Sequence, residues 1–554
     1  MCNIIFNSTI IFNKGCFLKG VIVCPQVEAV EIGRRIFEEG GNAIDAAVAT
    51  AFAQGIAEPH QTSIGGNGTL QVFHAESGEH LVIDFYGRAP LKSTQGMWSD
   101  KVIKRLPADM WELEGNINQV GYLSVTVPGT LKAFYEVANR FGNMSWKDLI
   151  QPAIDLAKRG FIIPSELYQS WIYDGSLGYS DTKEILKFND VSSQIFAPNG
   201  DILKTGEQFI MKDYSETLEM ISIEGPDLMY KGELGRIIAK DFLKHGGLIT
   251  QEDFLQYKLR INSPIKSNYR GYTVCANLAP GSGPQIIETL NILEGYDLNK
   301  IGFGTPEYSH LLSQAQKAGF VDRAKYLADP DYESVPIEKI ISKDHAMHWK
   351  RIIDNDEDII VPNLDMIEGH DTTTVSSMDE KGNAIAITHT LGSPCSGVVV
   401  KGLGFLFNNS MHVFNPYPGH PNSIAPGKAR TTGMSPTIVL KNGKPFIITS
   451  APGAVKILTA NLQTILNIID HDMSVLEAVS APRIHSEGKW IDVEARLYYR
   501  ILEYMNKKGH KIKKSDLSYD PFFALVHAIT SNDDNSVIKG AADPRGRGGY
   551  AEVK

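Results

Sequence analysis

Cysteine is scarce in this chain: five residues in 554 (Cys2, Cys16, Cys24, Cys275 and Cys395), irregularly spaced and forming no C-x-x-C pair. A disulfide framework and a cysteine-built zinc site are therefore excluded. No apolar run is long enough to span a bilayer, so no membrane partner is expected. Over residues 1–19, short apolar pieces are broken by Asn and Lys, without the ordered basic, apolar and small-residue regions of a signal peptide. We read this stretch as an N-terminal extension and expect a cytoplasmic location. Positive charge is in deficit, the formal net charge being −10, which argues against a nucleic-acid partner. The basic run at 507–514 reads as solvated surface, and the single Arg545-Gly-Arg547-Gly-Gly copy as a loop.

Familiar catalytic patterns are missing too. H-E-x-x-H, G-x-S-x-G and any His/Asp/Cys cluster with ligand spacing are absent, so neither metal nor organic cofactor is expected. His60, His370, His389 and His412 are scattered singles that read as structural, although His370 precedes a threonine run. Cys395 has no evident histidine partner and is not read as a nucleophile. The Gly-rich turn at 64–68 precedes a strand and lacks a Lys-Ser/Thr pair, which excludes a phosphate loop.

What is present is ordinary globular composition, 43% hydrophobic and 21% charged. A strand is predicted from Val21, with helices at 28–39 and 42–52, the second apolar all round and so buried. Strands follow at 69–74 and 79–85, then a helical middle with capping-box starts at Ser145 and Thr250 and helices at 307–323 and 344–353. Beyond Asp371 the character turns to β: a hairpin at 371–391, then 404–407, 437–439 and 445–450, with a helix over 455–470. One large α/β body built from both halves is expected.

The hairpin holds the chemistry. Its first strand opens on Thr372-Thr373-Thr374, turns at 380–383, and its return strand ends at Thr390. Antiparallel pairing brings Thr390 beside the threonine run. A second element, the turn Ser450-Ala451-Pro452-Gly453-Ala454 between strand and helix, offers adjacent backbone N–H groups suited to an oxyanion.

Several ordered segments then carry a resemblance. They are G-G-N-A-I-D-A-A-V-A from Gly40, E-P-H with I-G-G-N-G, V-P-G-T from Val127, G-G-L-I-T from Gly246 and Y-R-G-Y from Tyr269. The Thr372 hairpin follows, then M-S-P-T from Met434, A-P-G-A from Ala451 and A-D-P-R from Ala542. From about Gly20 onward the chain resembles the gamma-glutamyltransferases (glutathione hydrolases), N-terminal-nucleophile hydrolases made as self-cleaving proenzymes. The resemblance implies a four-layer αββα sandwich and autocleavage between Asp371 and Thr372. It implies a large subunit 20–371 after the extension 1–19, and a small catalytic subunit 372–554. Thr372 would be the nucleophile with its freed α-amine as base, Thr390 would support it, and Gly453 and Ala454 would form the oxyanion hole.

The substrate pocket departs from the family pattern. Gly392 stands where an Asn follows the hairpin. N-N-Q-M-D-D becomes Asn408-Asn409-Ser410-Met411-His412-Val413, which removes a Gln and an Asp that hold the substrate's α-amino group. A carboxylate-binding Arg aligns with Tyr86, leaving Arg88 as the candidate for that role, and a Ser pair becomes Thr432-Gly433. The expected function is amide hydrolysis or acyl transfer on a gamma-glutamyl-like substrate. The alternatives are a relative acting on another acyl amide, as the cephalosporin-acylase-like and oxamate-amidohydrolase-like branches do, and an uncleaved binding or scaffold homologue.

Overall fold

A computed structural model describes residues 19–106, 110–175, 180–362 and 372–554. Asp371, His370 and nearly all of the N-terminal extension lie outside the described residues. Strand alternation decides the architecture. In Gly20–Cys24, Val21 and Val23 join an apolar layer with Met378, Ala386, Ile438, Ile448 and Ile529, while Ile22 and Cys24 pack with the helices Val27–Glu38 and Ala43–Ala57. A period of two does this in any strand buried on both faces. Ala384–Thr390 repeats the split, with Ala384 and Ala386 toward the layer and Ile385 and Ile387 toward the helices.

The layer lies between two antiparallel sheets. One has seven strands in the order Gly549–Val553, Gly20–Cys24, Thr373–Asp379, Ala384–Thr390, Asn67–Phe73, His80–Phe85 and Arg260–Asn262. The other has six: Ile538–Ala542, His527–Ser531, Lys444–Ser450, Thr437–Lys441, Tyr272–Ala276 and Ile265–Tyr269. Outside the second sheet, Gly283–Leu293, Pro306–Tyr326, Lys343–Asp354 and Lys456–Ile469 form another apolar cluster with Val439 and Ile447. Helices, sheet, sheet and helices make the four-layer αββα order, and each sheet draws strands from both sides of residue 372.

Local signals explain the element ends. The Asn42 side chain accepts from Ile44 and Asp45 N–H while Asp45 takes the Asn42 N–H, a closed capping box. Thr250 and Asp253 do the same, whereas at Ser145 only the side-chain half forms, from Asp148 N–H at 3.2 Å. Ala43–Ala57 runs past the expected end at Phe52 because every residue is buried and no polar face marks a stop. The strand expected at 404–407 is reduced to isolated bridges at Leu406 and Phe407. Gly404 turns there at φ +71°, a conformation that interrupts a strand.

Candidate active site

The pleat that orders the core also sets the site. Ser376 points between the sheets, its Oγ 2.8 Å from Ser450 Oγ on the second sheet. By the same parity Thr372 faces that way, and the register Thr373↔His389 brings Thr390 opposite it. Thr372 Oγ1 donates to Thr390 Oγ1 at 3.3 Å, and Gly392 N–H donates to Thr390 Oγ1 at 2.9 Å. The next threonines have other duties. Thr373 Oγ1 accepts from Gln54 Nε2 and Gln26 Nε2 at 2.9 and 3.0 Å, and Thr374 Oγ1 donates to Ile387 O at 2.6 Å.

From the second sheet, Lys444–Ser450 leads into the turn 451–454 ahead of Lys456–Ile469. Gly453 has φ +133° and a Cβ there would lie 2.6 Å from Ala524 Cβ, so this position requires glycine. Ala454 follows at φ +51°. Among the described residues no acceptor takes the N–H of Gly453 or of Ala454, which leaves two adjacent donors of the kind an oxyanion needs. Ala524 is fixed from behind: Arg483 Nη1 donates to Phe523 O and Ala524 O at 3.0 and 2.8 Å, and its Nη2 to Asp543 Oδ2 at 2.6 Å. Arg545 binds Asp543 at 2.9 Å and grips Glu494 at 2.7 and 2.9 Å. Arg545, read as the start of a loop, is thus part of a buried ionic support for the turn.

Thr372, Thr390, Gly392, Thr432, Gly433 and Ala454 share one cavity of about 360 Å³, together with His412 and Val413. Burial pushes His412 down to about 4, with a smaller opposing effect from its bond to Asn409 O. Burial likewise holds His389 and His60 at about 3. His389 is tied to Thr62 Oγ1 and Gln54 Oε1 at 2.7 and 2.8 Å, and His60 accepts from Trp171 Nε1 at 3.2 Å. Both are structural. Among the described residues one carboxylate–imidazole cluster has ligand-like spacing, Glu288, Asp322 and His345. It lies among the outer helices, contributes nothing to the cavity, and Asp322 there accepts from Trp349 Nε1 at 3.0 Å.

The gamma-glutamyltranspeptidase family profile matches residues 29–553. The chain belongs to that family. It is 37% identical over 531 residues to the acylase ACY 1 proenzyme of Pseudomonas sp. (strain SE83), covering 95% of this chain and 92% of that protein. It is 33% identical over 548 residues to the glutathione hydrolase proenzyme of Escherichia coli (strain K12), covering 95% and 90%. The crystal structure of cephalosporin acylase from Bacillus halodurans superposes with a TM-score of 0.86 at 28% identity, over 97% of this chain and 96% of that one. The chain is an amide hydrolase or acyltransferase of the gamma-glutamyltranspeptidase type, on an N-terminal-nucleophile hydrolase fold.

Against the family pattern, the expected substrate residues fall into two groups. Gly392, Thr432 and Gly433 line the cavity. A Cβ on Gly433 would come 2.1 Å from Ala454 O, so its lack of a side chain lets the two turns touch. Ser410, Tyr86 and Arg88 do not line it. Ser410 Oγ accepts from Asn67 Nδ2 at 2.8 Å, Tyr86 Oη accepts from Asn277 Nδ2 at 3.1 Å, and Arg88 pairs with Asp329 at 2.9 Å. The retained Asn408 and Asn409 brace backbone: Asn409 Oδ1 takes Ser393 N–H at 2.9 Å and its Nδ2 donates to Gln119 O at 2.9 Å. Charged cavity residues that sequence reasoning missed are Arg105, Arg323, Arg430 and Glu487. Of these Arg430 had a signal, since it stands two residues before Thr432 in the segment leading to M-S-P-T.

Proposed function

We propose that the chain is a precursor that cleaves itself between Asp371 and Thr372, giving fragments 1–371 and 372–554, and that Thr372 then hydrolyses acyl amides. The observation carrying this reading is the Thr372–Thr390 hydroxyl contact at 3.3 Å in the cavity that Ala454 also lines. Cleavage converts the Thr372 peptide nitrogen to an α-amine, whose reference pKa of ~7.7–8.0 makes it a base at neutral pH. The amine takes the Oγ1 proton as Oγ1 attacks the substrate carbonyl. The developing oxyanion accepts from the N–H groups of Gly453 and Ala454. The ammonium returns its proton to the leaving amine, and an ester to Thr372 remains. Water, deprotonated by the same amine, cleaves that ester, releases the acid and restores Thr372.

Gamma-glutamyl-like amides fit this chemistry. A second reading, an acyl amide other than gamma-glutamyl, is favoured by one observation: at the positions that would hold the α-amino group, Ser410 is turned to Asn67 and Val413 is apolar. Intact mass and N-terminal sequencing test the proposal. A small fragment beginning Thr372-Thr373-Thr374 supports it, and Thr372→Ala should remain one inactive chain of 554 residues. A cleaved and active Thr372→Ala protein would sink the mechanism, and a purified wild-type chain that never cleaves would favour the scaffold alternative.

A further inference from the structure

Three outer helices meet at a buried group of ionisable side chains that takes no part in the cavity. Glu288 comes from Gly283–Leu293, Asp322 from Pro306–Tyr326 and His345 from Lys343–Asp354. Every residue of Gly283–Leu293 is buried, so the Glu288 carboxylate has no route to solvent along its own helix. Glu288 is 0% exposed, and both its carboxylate oxygens are buried without a hydrogen-bond partner. Its Oε1 lies 3.4 Å from His345 Nε2, and the same nitrogen lies 2.5 Å from Asp322 Oδ2. Among the described residues no lysine or arginine forms an ion pair with either carboxylate. Burial, and then the Asp322 carboxylate beside it, raises Glu288 well above its usual range.

Two carboxylates facing one imidazole, with no fixed cation against them, leave a negative charge that burial makes costly. Protons can neutralise such a group, and so can one divalent cation. The geometry fits the cation. One donor atom from each of the three side chains lies within 4.8 Å of the other two. Ligand atoms of a tetrahedral zinc ion stand about 3.3 Å apart, close to the 3.4 Å between Glu288 and His345. The shorter Asp322–His345 contact has to open by about 0.8 Å to reach that spacing, a small rotation of the carboxylate. Trp349 Nε1 donates to Asp322 Oδ2 at 3.0 Å and lies 3.2 Å from His345 Nε2. Kept on the carboxylate, that donor orients a ligating oxygen from outside. The His345 side chain is 10% exposed, which gives an ion its way in and a water its place as fourth ligand.

We infer that Glu288, Asp322 and His345 bind one divalent ion of the zinc class, which ties the three helices together. One imidazole nitrogen with two carboxylate oxygens suits zinc better than magnesium or calcium, which favour oxygen throughout. None of the three residues lines the nucleophile's cavity. All three precede residue 371, so the inference stands whether or not the chain cleaves itself.

The test uses the full purified chain, stripped with a chelator and titrated with zinc chloride. Calorimetry should give one site per chain with a Kd below about 1 μM, and zinc should raise the thermal midpoint by several degrees. Magnesium chloride or calcium chloride at the same concentration should do neither. Glu288→Gln and His345→Gln should each weaken zinc by about 100-fold or more. Hydrogen exchange read by mass spectrometry locates the ion in the wild type, with no variant that has to fold. Zinc should slow exchange across 283–293, 306–326 and 343–354. Absence of zinc binding would overturn the inference and leave the cluster neutralised by protons. Binding kept by both variants, protection confined to other segments, or a preference for calcium would overturn it as well, the first two marking an adventitious ion only.

Discussion

Arg88 and Ala429 share one carboxylate: Arg88 Nη1 donates to Asp329 Oδ2 at 2.9 Å, and the backbone N–H of Ala429 donates to the same oxygen at 2.7 Å. Arg260 holds the other oxygen of Asp329 at 2.7 Å, and Arg88 also bridges Ala429 and Val127 through its backbone. Arg88 therefore acts one residue away from Arg430, by fixing the segment that carries it. Arg88→Ala should destabilise the fold by about 1–3 kcal/mol, since Asp329 keeps Arg260 but loses a charged donor. It should also raise KM more than it lowers kcat. Urea unfolding and steady-state kinetics check this; an unchanged midpoint with unchanged KM would leave Arg88 without either role.

Gly392 illustrates why one family residue cannot simply be restored. It lies at φ +123°, and a Cβ there would sit 1.9 Å from Asn409 Oδ1, the atom that accepts Ser393 N–H. Gly392→Asn should break this bond and strain the backbone, at a combined cost of about 2–4 kcal/mol. The expected outcome is lower activity on every amide and no gain on gamma-glutamyl substrates. A variant that folds normally and prefers gamma-glutamyl amides would show that the loop adapts.

Much of the site was legible because it is local. Period-two alternation and the turn at 380–383 were enough to pair Thr390 with Thr372, and the strand–turn–helix pattern was enough to find Gly453 and Ala454. The charged groups were not legible for the opposite reason. Whether an arginine is buried depends on partners far along the chain: Arg88 meets Asp329 and Arg545 meets Glu494, and no periodicity reports such contacts. Arg430 lies outside any helix or strand, where a charge ordinarily reads as exposed, yet it is enclosed beside Arg323. Tyr86 and Ser410 were placed by alignment with pocket residues, but Asn277 and Asn67 hold their hydroxyls elsewhere.

Ala454 occupies the left-handed region at φ +51°, a conformation that costs a residue with a Cβ about 1–2 kcal/mol. Ala454→Gly should raise stability by about 0.5–1 kcal/mol once the extra unfolded-state freedom of glycine is counted. The N–H survives the change, so kcat should stay within about twofold. Thermal unfolding and kcat together decide it. A large fall in kcat with improved stability would mean that the methyl group orients the donor.

The pH dependence separates the α-amine from any histidine base. With the Thr372 amine as base, the enzyme is active when that amine is neutral, so kcat/KM should rise with pH through a limb near ~7.7–8.0. Below it the rate should fall about tenfold per unit, because the protonated amine cannot accept the Oγ1 proton. Two histidines line the cavity, His412 and His420, and burial holds His412 down to about 4. His412 is already neutral throughout that range and contributes no limb near its ordinary value. A profile with a single acid limb that is unchanged in His412→Gln and in His420→Gln supports the amine, whereas a limb near pH 6.5 that vanishes in either variant would transfer the base role to that imidazole.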